Sequence, residues 1–570
     1  MPINILELKK YLLFGLIIWL AHFLNFQQFG LYYDDHNHLV PALNYSFPSL
    51  VEHIGNLVVH FPEGRPLHEI LISVFAYFGS DGGLATIYFL AYLLIFVNTI
   101  LFYRFLKIIY PHELFCLLGT LSYCLYPADT NRVWLTHTFG IESAVTFFLI
   151  ASICYLSGQK LISYLLITAS LLTYETFLLI FMIIPLLETK SRNQKYAAIF
   201  GKHIFILTSI FLLFFIIRIL LGDSRASSLE LSTIVAMLSN NLLAGPIMSL
   251  SVYWYRPLEA IQSLDFSSLM ILILAFILCV LLLFPLSFSS NSKASYSDSI
   301  SLDKKILLTV KSEINKHIRL IIFGCLLLVF AYLLSLRETI IWGKVINGKP
   351  SRIHFAAIVG NSIIFSTSLS LIWLQVKKIT TKKIILLSFS FYFALLIYFG
   401  DLVQLDFIKS WSLQRAIFTD IVRLCPDMNL ETLILVDANF DIPKYADPIE
   451  EVTKDILKRI YKFPDQHPKA YVLRADWKNK VEIIDDKLII LNNSTVGIHS
   501  GDEKRQFELN NVIYLEADQG YLTRIDHKVN ILNHGIDFKP ISSDYNYWKK
   551  SRQFDIYIDQ EWLIKPPKYI

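Results

Sequence analysis

The sequence predicts an all-α polytopic membrane bundle of about eleven transmembrane helices, followed by a C-terminal extracytoplasmic soluble α/β domain. Three observations predict it. Only 17% of the 570 residues are charged and 54% are hydrophobic, whereas a soluble chain carries about a quarter charged residues. The apolar residues come in long runs rather than in alternation, which argues against an outer-membrane barrel. From about residue 405 onward acids return, and short β-branched runs replace the long apolar ones. The composition excludes a soluble enzyme, a disordered chain and a fibrous one. A formal charge of +4 is too small to imply a nucleic-acid partner.

The elements follow in order. Lys9 and Lys10 precede the apolar run 11–29, which is long enough to span a bilayer and has no small-residue cleavage site after it. It reads as a retained first helix. Further spans are expected at 83–106, 111–128, 139–158, 160–173, 175–188, 202–222, 268–288, 318–336, 353–374 and 383–403. Segment 66–79 is apolar but short, which suits a helix lying on the membrane within the outer loop 30–82. Residues 223–267 read as another long outer loop, and 289–317 as a flexible cytoplasmic linker.

Lysines and arginines gather in loops 104–110, 159–160, 189–202, 289–317 and 375–382. The positive-inside rule puts those loops and the N-terminus in the cytoplasm, and the C-terminal part outside a plasma or inner membrane. The bundle then covers 1–404 and the outer domain 405–570. That domain carries the strand-like runs ETLILVDA, KAYVLRA, KLIIL, NNVIYLEA and FDIYID, with helical patterns at 407–424 and 447–462. The six cysteines form no CxxC pair, so neither a zinc site nor a redox pair is expected.

The clearest chemical signal is Tyr32-Tyr33-Asp34-Asp35-His36, directly after the first span. Two adjacent carboxylates at a membrane interface repel each other and lose hydration, the setting that tunes a carboxylate for proton transfer. One can act as general base on an acceptor hydroxyl while the other orients it. Alternatively Asp34 and Asp35 bind a divalent cation with His36 or His38. The bland alternative is a pair of loop acids or a helix N-cap. The second signal is Phe61-Pro62-Glu63-Gly64-Arg65-Pro66-Leu67, where Glu63 and Arg65 stand before a helix start near the membrane surface. Arg65 there suits a lipid phosphate or an interfacial anchor.

Other polar residues stand near membrane depth. Asp129, Arg132, His137 and Glu142 follow the third span and either line a sugar pocket or form a structural Asp129–Arg132 pair. Glu175 interrupts an apolar stretch, and an ionisable residue inside a bundle points to function. Arg256, within Tyr253-Trp254-Tyr255-Arg256-Pro257, and Arg352, at the opening of the tenth span, are further phosphate or sugar ligands, or interface anchors. No P-loop, GxSxG, HExxH or dinucleotide fingerprint is present, so ATP and NAD chemistry are not expected.

A first span, an outer acidic pair, and an Arg65-Pro66-Leu67 segment opening an interfacial helix resemble the C-type (GT-C) glycosyltransferase superfamily. Protein O-mannosyltransferases and aminoarabinose transferases are among its members. The resemblance implies an inverting transferase that takes a sugar from a polyprenyl-phosphate donor and passes it to a glycan, lipid or protein acceptor. Asp34 and Asp35 match its acidic motif, whose first acid usually faces the cavity. The familiar helix-opening version is Pro-Pro-Leu, so Arg65 is a departure. Beyond about residue 190 the likeness is one of architecture. A transporter or flippase for lipid-linked saccharides, and a non-catalytic membrane scaffold or sensor, are the alternatives. Neither needs the acidic pair.

Overall fold

The computed structural model describes residues 5–60, 64–187, 195–221, 231–266, 268–286, 302–334, 340–425, 432–438, 443–446, 456, 469–474, 481–485, 487–490, 505–518, 521–525, 529–531 and 534–536. The chain falls into two compact units, residues 1–27 with 42–405, and 28–41 with 406–570.

The helices in chain order are α1 (Ile5–Ile18), α2 (Asp35–Ala42), α3 (Phe47–His60), α4 (Pro66–Gly79), α5 (Gly83–Ile109), α6 (Glu113–Cys124), α7 (Ser143–Leu156) and α8 (Lys160–Thr173). They continue as α9 (Thr176–Phe181), α10 (Lys195–Leu220), α11 (Leu231–Gln262), α12 (Leu269–Leu283), α13 (Leu302–Tyr332), α14 (Ile358–Gln375) and α15 (Ile379–Leu424).

Six helical stretches among the described residues are long and apolar enough to cross a membrane: Pro66–Ile109, Leu135–Leu156, Ala197–Leu220, Glu313–Tyr332, Lys349–Gln375 and Ile379–Leu424. Glu113–Cys124, Lys160–Thr173, Thr176–Leu187 and Leu269–Leu283 are shorter apolar helices. This is the pattern of a helical membrane protein. Within the first unit α7 packs on α8, and α14 packs on both α13 and α6. A Cβ on Gly360 would stand 2.9 Å from the Gly324 carbonyl oxygen, so α13 and α14 meet backbone to backbone. Small residues at a crossing permit that approach where apolar burial alone does not hold helices together.

Segment 66–79 forms the helix expected there, and a single turn, Ser80–Gly82, separates α4 from α5. The structure departs from the sequence reading at three other places in this unit. Residues 223–267 are not a long loop where described, because α11 occupies Leu231–Gln262. Its Pro246 and Pro257 read as helix breakers, yet they are absorbed within one continuous helix. Residues 302–317, assigned to the linker, begin α13. Their apolar positions Ile306, Val310 and Ile314 keep a four-residue spacing despite the intervening lysines. The rest of the linker, 289–301, lies outside the described residues. Finally, the third span ends early: Leu125–Trp134 is non-helical and buried throughout.

The second unit joins residues 28–41, assigned by sequence to the bundle, to the C-terminal part. Tyr32 accounts for this. Its hydroxyl donates to the Phe407 carbonyl (2.9 Å), and its ring lies edge-on to Phe407 at 4.7 Å between centroids. Gly30 is equally confined, since a Cβ there would fall 1.8 Å from the Trp411 ring. The expected helix at 407–424 is the last part of α15, which is 46 residues long and contains the division between the units.

The strands are β1 (Leu433–Ala438), β2 (Lys469–Arg474), β3 (Val481–Ile484), β4 (Lys487–Ile490), β5 (Arg505–Glu508), β6 (Val512–Asp518), β7 (Tyr521–Ile525), β8 (Val529–Ile531) and β9 (His534–Ile536). One sheet has the order β2-β1-β6-β7, with β1 parallel to β2 and β6, and β7 antiparallel to β6. Successive residues Leu433 to Val436 of β1 are all buried, as a central parallel strand covered on both faces requires. An antiparallel β3-β4-β5 sheet adds Leu488 and Phe507 to a core with Leu433, Leu435, Val512, Tyr514 and Ile525. The run FDIYID and, apart from Ile456, the helical pattern 447–462 lie outside the described residues.

Candidate functional site

The acidic pair occupies a tight turn in the second unit. The Asp35 amide donates to the Tyr32 carbonyl (3.0 Å), and Asp35 Oδ2 accepts from the Tyr32 amide (3.0 Å), closing the turn from both ends. Between them Tyr33 has a φ of +48°, the left-handed region that a bulky side chain rarely adopts. Such outliers persist only where the surroundings hold them, and they cluster at functional sites. Asp35 and His36 are fully buried, whereas Asp34 and His38 are half-buried. The Asp34 carbonyl accepts from the amides of Asn37 and His38 (3.0 Å each), so Asp34 stands at the N-cap of α2. Burial pushes the Tyr32 phenol well above its ordinary pKa, which keeps it protonated as the donor to Phe407. Among the described residues no group of three or more His, Cys, Asp or Glu is placed to hold a metal ion.

The bundle's charged candidates form separate groups. Arg65 and Glu175, 110 residues apart in sequence, are joined. Arg65 Nε and a terminal nitrogen meet Glu175 Oε2 at 2.8 and 2.7 Å, while Arg218 holds Oε1 at 2.7 Å. The Arg65 guanidinium also lies 4.8 Å from the centre of the Tyr174 ring. Glu63 lies outside the described residues.

A second group sits in and beside the unwound segment Leu125–Trp134. The Asp129–Arg132 pair is not formed. Asp129 Oδ2 meets His137 Nε2 (3.1 Å), and Oδ1 accepts from the amide and side chain of Asn131. Arg132 instead pairs with Glu142 (2.7 Å), both almost wholly buried, and Asn98 donates to the other Glu142 oxygen (2.8 Å). His137 Nδ1 and Asn131 Oδ1 are buried without hydrogen-bond partners.

Arg256 is buried in α11, donating to Glu259 (2.8 Å) and Asn347 (2.6 Å), rather than presented in an outer loop. Arg352 is half-buried in the 3-10 stretch Lys349–Ala357, 5.9 Å from the centre of the Trp134 ring. Three partners were missed: Arg218, Asn98 and Ser351, whose hydroxyl accepts from the Thr130 amide (3.1 Å) and the Asn131 side chain (2.9 Å). Arg218 and Asn98 each stand as a polar residue inside an apolar run, a signal that the sequence does carry. No family model matches this chain, and no curated protein or solved structure does either.

Proposed function

We propose that the chain is an integral-membrane glycosyltransferase of the GT-C type, with about eleven spans, a cytoplasmic N-terminus and an outer C-terminal domain. It transfers a sugar from a polyprenyl-phosphate donor to an acceptor hydroxyl on the outer face. Asp34 takes the hydroxyl proton, the oxygen attacks the anomeric carbon, and the bond to phosphate breaks with release of polyprenyl phosphate. Phosphate is a good leaving group, so the chemistry asks mainly for a base and for stabilisation of phosphate charge. No metal enters this scheme.

The observation that carries the reading is the acidic turn. Asp35 is buried and committed to the Tyr32 amide, while Asp34 is half-buried at the head of α2 behind a left-handed Tyr33. The burial of Asp35 supports a structural role for it, and the partial exposure of Asp34 supports reading Asp34 as the base. The test is transfer from a polyprenyl-phosphate sugar by the purified chain, compared with Asp34→Asn. Product formation that depends on Asp34 supports the reading. A chain that carries such lipids between leaflets without transferring sugar, unaffected by Asp34→Asn, replaces it.

That replacement, a lipid-linked saccharide transporter, has its own observation. The non-helical backbone of Leu125–Trp134 is buried beside the Asp129–His137 and Arg132–Glu142 pairs. Irregular backbone at membrane depth, and ionisable residues there, mark substrate or ion pathways in transporters.

A further inference from the structure

We propose that Arg65 and Arg218 form a binding site for a phosphate group carried on a hydrocarbon chain, with the Glu175 carboxylate competing for the same donors. The proposal deepens the reading above, in which a polyprenyl phosphate is the donor, and adds to it a second arginine and a built-in competitor. Two guanidinium groups converge on one carboxylate, each on its own oxygen, so the three residues together carry one net positive charge. A planar fork of N–H donors matches the tetrahedral oxygens of phosphate as well as it matches a carboxylate. Pro66 at the first position of α4, 14 residues long, sets a helix N-terminus beside Arg65, and its dipole favours the same anion.

The group is built for this approach. Gly64 has a φ of +71°, and a Cβ on it would lie 2.3 Å from Arg218 Nε. Only glycine lets the Arg218 side chain pass so close to the backbone ahead of α4. Both arginine side chains keep contact with the surroundings, at 27% exposure for Arg65 and 18% for Arg218.

The hydrocarbon part of the ligand is argued from α10. Arg218 stands in its last turn, and Leu212, Leu213, Phe215, Ile216, Ile219 and Leu220 around it are exposed. A helix so apolar and so little covered faces lipid, and an arginine near its end reaches headgroup depth. Phosphate on the arginines with a chain lying along α10 satisfies both surfaces. A free phosphate ion satisfies only one. The same chemistry is offered by a membrane phospholipid and by a polyprenyl phosphate.

The test uses the full chain in nanodiscs of phosphatidylcholine, titrated separately with polyprenyl phosphate, phosphatidylglycerol and inorganic phosphate, and read by native mass spectrometry. Arg218→Gln is expected to weaken lipid binding at least tenfold, Gly64→Ala to weaken it with both arginines kept, and Glu175→Gln to strengthen it severalfold. If Arg218→Gln does not fold, Arg218→Lys keeps the charge, loses the fork and is expected to bind severalfold more weakly. Unchanged binding by the arginine variants, weaker binding by Glu175→Gln, or inorganic phosphate bound as tightly as the lipids would overturn the site. Preference for polyprenyl phosphate marks the donor position. Equal binding of both lipids keeps the site as a general lipid-phosphate site and removes its link to transfer. Because binding needs no turnover, loss of the site with Asp34-dependent transfer intact is distinguishable from failure of the transferase reading.

Discussion

Replacing Asp34 by Asn removes a proton acceptor while leaving its backbone carbonyl at the head of α2 to accept from Asn37 and His38. Under the transferase reading the rate should fall about 10²–10⁴-fold, the usual loss for a general base, with little change in melting temperature. Asp35→Asn belongs to a different class. It weakens a buried acceptor of the Tyr32 amide, so stability should drop by about 1–3 kcal/mol, with any loss of rate following from that. Rates and thermal melts on the two variants separate the roles, and equal small effects on rate would remove the pair from the mechanism. In the bundle, Arg132→Met leaves Glu142 buried without its charge partner and should cost about 3–5 kcal/mol in thermal unfolding. The sequence shows all of these acids, but it cannot show which cation each one meets. Arg132 is three residues from Asp129 and pairs with Glu142 ten residues on, because the unwound turn aims the two side chains apart.

At the scale of elements, what the sequence reveals depends on how local the deciding force is. The long apolar runs are mostly helical where they are described, since an intrasegment hydrogen-bond ladder satisfies a backbone in hydrocarbon; the exception at Leu125–Ala128 is buried in protein. Strands β1, β2 and β4 lie within three of the five β-branched runs, and β6 overruns a fourth by one residue. The helix α11, read as a loop from sequence, contains Pro246 and Pro257. Proline removes one amide and crowds one carbonyl, a local penalty that the neighbouring helices of a bundle absorb, and a single-chain reading has no access to those neighbours. The fate of residues 28–41 was hidden for a related reason. Tyr32 is an ordinary aromatic in sequence, and it is α15, some 375 residues later, that accepts from its hydroxyl and supplies two ring partners. Gly30 tests that packing. Because a Cβ would overlap Trp411, Gly30→Ala should dislodge the segment, lowering the melting temperature and opening residues 28–41 to limited proteolysis. A cleavage pattern identical to wild type would mean that the segment is not held by α15.

At the scale of the whole molecule, the orientation of the chain rests on one asymmetry, the gathering of Lys and Arg in alternate loops. Among the described residues six stretches reach the length and hydropathy of a full span, and four apolar helices fall short of it. The count of crossings therefore turns on whether short helices such as Glu113–Cys124 and Leu269–Leu283 traverse the bilayer. An α-helix rises 1.5 Å per residue, so neither covers about 30 Å of hydrocarbon without help from flanking residues or local thinning. The unwound residues after Cys124 supply such help, being buried and bonded to Ser351 through Thr130 and Asn131. The helix α11 raises the opposite question, for it is long enough to cross but was never counted, and one added crossing would reverse everything after it. Reporter fusions at residues 300 and 450 resolve this. Two crossings separate the N-terminus from 104–110 if α1 and α5 span, which ties that basic loop to the N-terminal side. With eleven crossings in all, eight precede residue 300 and three lie between it and residue 450, so the two reporters must report opposite compartments, with 300 on the cytoplasmic side. If α11 also crosses, residue 300 moves outside and residue 450 inside, which would place the C-terminal domain in the cytoplasm and contradict the proposed outer position. Reporters on the same side would require one of the three stretches between them, Glu313–Tyr332, Lys349–Gln375 or Ile379–Leu424, to turn back without crossing, because the four short apolar helices all precede residue 300.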